Sequence, residues 1–68
     1  MKYKIARADA RRYSTIDSKA DYHVVLCKYA KPPFEHLASE IYTVRIEGAY
    51  QDKLGPIVET WSKGYQVY

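Results

Sequence analysis

From Ile41 to Glu47 apolar and polar residues alternate, with Tyr42, Val44 and Ile46 on one face and Thr43, Arg45 and Glu47 on the other. A two-residue period predicts a strand with one face in the core and one in water, and Gly48 ends it. Beyond it, Leu54, Ile57, Val58 and Trp61 fall at i, i+3, i+4 and i+7, the apolar stripe of a helix over about 52–63. Asp52 suits its N-cap, and Pro56 is tolerated if it lies in the first turn. Lys63 and Gly64 offer a C-terminal cation and a left-handed stop. Alternation resumes over Tyr65-Gln66-Val67-Tyr68, so residues 41–68 read as a strand-helix-strand unit.

Upstream, residues 22–29 (Tyr22-His23-Val24-Val25-Leu26-Cys27-Lys28-Tyr29) are apolar on both faces, the pattern of a central strand. Lys31-Pro32-Pro33 breaks it, and Phe34, Leu37, Ala38 and Ile41 then repeat at helical spacing, for one or two turns or an irregular loop over the core. Residues 2–7 suggest a first strand with Tyr3 and Ile5 inward. In 8–20 the alanines and arginines favour helix, whereas Tyr13-Ser14-Thr15-Ile16-Asp17-Ser18 does not, because short polar side chains compete for the backbone. Either a helix over 8–13 runs into a loop, or the first two strands form a long hairpin.

These elements predict an α+β fold: a small single-layer sheet of about four strands with one main helix, about 52–63, packed on one face. A helix in 8–13 would make the order β-α-β-β-α-β, which resembles a ferredoxin-like sandwich. Residues 1–68 make a single domain, of which 1–20 is a basic N-terminal strand or arm. The expected core is one cluster of Val24, Leu26, Val44, Ile46, Leu54, Ile57, Val58 and Trp61.

Charge sharpens the picture. Residues 1–19 hold six bases against two acids, and residues 20–68 hold five against six, so the whole basic excess lies in the first quarter. Eight of 68 residues are tyrosine, against one Phe and one Trp. A tyrosine ring is apolar but its hydroxyl needs a partner, so eight of them suit half-buried and contact positions better than a closed core. A domain of this size buries only about 60% of its unfolded surface, and a partner subunit, including a second copy in a homodimer, is one remedy. Cys27 is the only cysteine, no run reaches the length of a membrane span, and residues 1–7 lack the apolar run of a signal peptide. A cytoplasmic location is the expectation.

No pattern of catalytic chemistry emerges. His23 and Cys27 on one strand would stand about 13 Å apart and could not share an ion. Cys27, in the most apolar run, reads as a small buried hydrophobe rather than a nucleophile beside His36. Gly48, Gly55 and Gly64 punctuate elements and build no phosphate loop. Trp61 reads as a core anchor whose indole N–H would find a partner at the chain end. The sequence thus predicts no catalytic, cofactor-binding or metal site.

The expected function is a non-enzymatic protein-binding module. In size, composition and element order the chain resembles the small inhibitors and adaptors of phages and mobile elements, which block a surface of a larger host protein or nucleoprotein complex. The residues expected to meet the partner are Arg7, Arg11, Arg12, Tyr13, Tyr29 and Tyr50. The alternative is a small nucleic-acid-binding protein that uses the basic segment with its tyrosines. Against it, residues 41–47 lack the Gly and aromatic pattern of an RNA-recognition strand, and Glu47 would repel phosphate.

Overall fold

One helix, α1 (Tyr3–Ile16), lies across one face of a four-stranded antiparallel sheet in a computed structural model that describes residues 1–27, 41–51 and 54–68. The strands are β1 (Tyr22–Leu26), β2 (Tyr42–Ile46), β3 (Ile57–Ser62) and β4 (Tyr65–Gln66), in the spatial order β2-β1-β3-β4. This is a small α+β domain with one helix on one sheet face. Its described elements run α-β-β-β-β rather than in the ferredoxin-like order.

The main helix is not the one expected at 52–63. Residues 3–16 are helical, which includes the helix over 8–13, one of the two readings of that segment, but replaces the strand expected at 2–7, and residues 57–62 are a strand. The buried stripe of α1 consists of Ala6, Ala10 and Ser14, all fully buried at i, i+4 and i+8, while Ile5 and Ile16 point outward, 54% and 76% exposed. Small side chains let the helix axis come close to the sheet but barely register as a hydrophobic pattern. Ser14 is satisfied twice: its hydroxyl donates to the Arg11 carbonyl (3.0 Å) and accepts from the Gly64 N–H (3.2 Å). Asp17 closes the helix, its N–H bonding the Tyr13 carbonyl (2.8 Å) and one carboxylate oxygen accepting from the Tyr22 hydroxyl (3.1 Å).

In β3 the helical spacing of Leu54, Ile57, Val58 and Trp61 was a coincidence. Val58 is skipped in the pairing with β1, where Val24 opposes Glu59 and Val25 opposes Ile57. Glu59 and Trp61 share the helix face by the two-residue period, and the bulge turns Ile57, which opposes Val25, to the other face. An inward glutamate hid the alternation. Lys63 and Gly64, read as a helix stop, are instead the two central residues of the β3–β4 hairpin turn, with φ of 54° and 83°. Positive φ at both positions matches the twist of a two-residue hairpin.

Strand β1 is central, as expected, flanked by β2 and β3. Cys27, however, lies just past its end and is half-buried, its N–H bonded to the Ile41 carbonyl (3.0 Å). The core under α1 contains Ala6, Ala10, Val24 and Trp61, with Tyr3, Tyr22, Tyr42 and Val44 packed against it. Of the eight expected members, Val24, Val44 and Trp61 belong to this cluster. Leu26, Ile46, Leu54, Ile57 and Val58 do not, and Ile46 and Val58 are exposed. The open edge of β2 is blunted: the Met1 amino group donates to the Tyr42 carbonyl (2.9 Å), the Tyr42 N–H returns a bond to the Met1 carbonyl (2.7 Å), and Arg45 Nη1 donates to the Val44 carbonyl (3.2 Å). The expected turns over 33–38, the cap at Asp52, and His36 lie outside the described residues.

A Cβ at Gly64 would meet Thr15 Oγ1 at 2.7 Å, whereas one at Gly48 (φ 92°) meets nothing within 4 Å. Gly48→Ala is therefore expected to cost only left-handed backbone strain, about 1–2 kcal/mol. Gly64→Ala should cost visibly more in urea melts, and Thr15→Ala beside it should recover the difference. Equal losses at both glycines would mean that the hairpin does not press on α1.

Candidate functional site

Along the outer side of α1 the side chains at i, i+3, i+4, i+7, i+8 and i+11 form one wall: Lys4, Arg7, Ala8, Arg11, Arg12 and Thr15. Together with Trp61 from β3 they line an open groove of about 730 Å³, ended by Tyr3 and Ile16. The stems of lysine and arginine are apolar, so such a groove pairs a largely apolar lining with a cationic rim.

At its centre Arg7 is held by three groups. Its Nε lies 3.5 Å from Glu59 Oε1, its Nη2 donates to Gln66 Oε1 (2.9 Å), and its guanidinium carbon sits 5.4 Å from the centre of the Trp61 ring. Glu59 is 5% exposed and also accepts from the Trp61 indole N–H (2.9 Å), so the indole partner is Glu59 rather than the chain end. A buried carboxylate is tolerated because it is both paired and hydrogen-bonded. Arg12 lies 3.5 Å from Asp9 and over the Tyr13 ring (5.2 Å). Lys4 and Arg11 have no ion-pair partner among the described residues.

Arg7, Arg11 and Arg12 thus come together on one helix face. Tyr13 lies on α1 outside the groove lining, 40% exposed, with its ring 5.8 Å from that of Tyr22. Tyr50 lies elsewhere, on the opposite sheet face, its ring edge-on to His23 (6.0 Å) and its hydroxyl donating to the Gly55 carbonyl (2.6 Å). Tyr29 lies outside the described residues. Lys4, Ala8 and the covering of Trp61 by Arg7 were missed. The i, i+4, i+7 spacing of Lys4, Ala8 and Arg11 would have shown the wall had residues 3–16 been read as a helix.

A second constellation sits on the sheet face away from α1. His23 Nε2 lies 2.8 Å from Glu47 Oε2, and its Nδ1 lies 2.8 Å from Thr60 Oγ1. Because the carboxylate can only accept, Nε2–H donates to Glu47, and in the neutral ring Nδ1 accepts from the Thr60 hydroxyl. Carboxylate, imidazole and hydroxyl in line form a relay in principle. Here Thr60 is 8% exposed and its backbone is hydrogen-bonded to Val67 and Tyr68. The arrangement satisfies a buried histidine. Among the described residues no three His, Cys, Asp or Glu gather to hold an ion, and no helix is long and apolar enough to cross a membrane.

Burial and the hydrogen bond to Asp17 push the Tyr22 phenol above its usual range. A raised phenol pKa in the folded state means that this stability is complete below the ordinary value of about 10 and is lost as pH rises through the folded value. Urea melts at rising alkaline pH are expected to show that decline, and Tyr22→Phe to flatten it. An unchanged slope in the variant would detach Tyr22 from Asp17.

The chain matches no family model, no curated protein and no solved structure. Its class therefore rests on its own geometry: a small α+β domain with a basic, apolar-lined groove along its one helix.

Proposed function

We propose that this chain is a non-enzymatic protein-binding module that docks the groove face of α1 onto a larger protein, acting as an inhibitor or adaptor by occupying that surface, in the manner of small phage and mobile-element proteins in the cytoplasm. The supporting observation is the groove itself, where a cationic rim surrounds an apolar lining with Arg7 fixed in place by Glu59, Gln66 and Trp61. Pre-organised arginine and aromatic groups in a depression are typical anchors of protein interfaces. The nucleic-acid reading fits less well. Single-strand binders stack bases on open rings, whereas Trp61 is 7% exposed beneath Arg7 and Tyr3 is half-buried against Tyr42 (5.4 Å).

Affinity capture from lysate, with and without nuclease, tests the proposal. A partner protein retained after nuclease treatment is expected, with Arg11→Ala plus Arg12→Ala slowing association more than it speeds dissociation, because rim charges chiefly steer encounter. Loss of every partner on nuclease treatment, together with tight and steeply salt-dependent binding to bare oligonucleotide, would replace it with a nucleic-acid-binding function.

A further inference from the structure

We infer that the occupant of the α1 groove is an acidic helical segment of the partner, offering two carboxylates seven residues apart with an apolar side chain between them; this rests on the protein-binding reading above. The four cations of the wall are not equivalent. Arg7 is paired with the buried Glu59 and Arg12 with Asp9, which among the described residues leaves Lys4 and Arg11 to meet an incoming charge. Seven residues along one helix separate them by about 10.5 Å. Between them lies Ala8, the smallest side chain of the wall, in the groove that Trp61 also lines.

The spacing selects the occupant's form. In an extended strand at ~3.3 Å per residue, 10 Å corresponds to three residues, and side chains three apart point to opposite faces. Same-face carboxylates on a strand lie about 6.6 or 13 Å apart, so a strand matches this spacing less well than a helix. A helix lying alongside α1 matches it because residues i and i+7 share a face at the same rise, with i+3 or i+4 between them. Among the described residues no acidic side chain lines the groove, so charge complementarity favours an anionic occupant.

An NMR titration of the full chain tests this with defined probes. One is a synthetic helical peptide carrying Glu at i and i+7 and Leu at i+4. The second has both Glu replaced by Gln, the third has them on opposite faces, and the fourth is a thymidine oligonucleotide. The first peptide is expected to shift the Trp61 indole and Ala8 amide signals. Its affinity should fall about tenfold or more with Arg11→Glu, and likewise with Ala8→Gln, which puts a long neutral side chain at the smallest position of the wall. Both substitutions are at exposed helix positions, and an unchanged thermal melt verifies folding. Equal binding of the Gln or opposite-face peptide, or no binding of any peptide, would overturn the acidic-helix inference while leaving the protein-binding reading to stand on the capture experiment. Shifts of the same signals by the oligonucleotide alone would overturn both.

Discussion

Trp61→Ala is expected to unfold much of the population at room temperature. The side chain is the largest in the core under α1, and truncating a buried tryptophan costs about 3–5 kcal/mol. A domain of this length has roughly 3–10 kcal/mol in all. Two further losses follow from the geometry. Glu59 loses its indole donor, and Arg7 loses the ring it rests on. Trp61→Phe keeps most of the volume but not the N–H, so it should cost less, about 1–3 kcal/mol for a buried carboxylate short of a partner. Melts followed by circular dichroism give the ranking directly. If the alanine variant melted within a degree or two of the parent, Trp61 would not be seated between α1 and β3.

The second large effect lies in the small-residue stripe. Ala10 is fully buried where α1 meets the sheet, so Ala10→Leu should overpack that contact and cost about 1–3 kcal/mol or more. Ala8→Leu, two residues away on the exposed side, should be nearly neutral. Leucine and alanine are both good helix formers, so the contrast isolates packing from propensity. Were residues 1–20 a mobile basic arm, the two substitutions would behave alike in urea melts.

That pair also marks what was legible in the sequence. The strand over 41–47 and the central strand over 22–29 carried strong patterns, alternation in one and apolar residues on both faces in the other, and strands formed at Tyr42–Ile46 and Tyr22–Leu26. The fold class followed from them. The helix was assigned to the wrong end for two physical reasons. At 3–16 the inward stripe is alanine and serine, nearly silent to hydropathy, while Ile5 points to water. At 57–62 a bulge at Val58 and a buried Glu59 disguised a two-residue period as a helical one. The β-branched and aromatic content of Ile57-Val58-Glu59-Thr60-Trp61 and the Lys63-Gly64 turn favour a strand hairpin there. The basic cluster was visible as a count of charges, but its arrangement as a wall around Ala8 needed the helix first.

The groove is best tested by site-directed photo-crosslinking on the full chain, with the reactive group placed at position 8 in one variant and position 50 in another. These residues lie on opposite faces of the sheet. In nuclease-treated lysate, position 8 is expected to join the partner that affinity capture retains, and Lys4→Glu with Arg11→Glu to abolish the product, while position 50 stays unlinked. Efficient crosslinking from position 50 with none from position 8 would contradict the account and move the binding surface to the face that carries His23 and Tyr50.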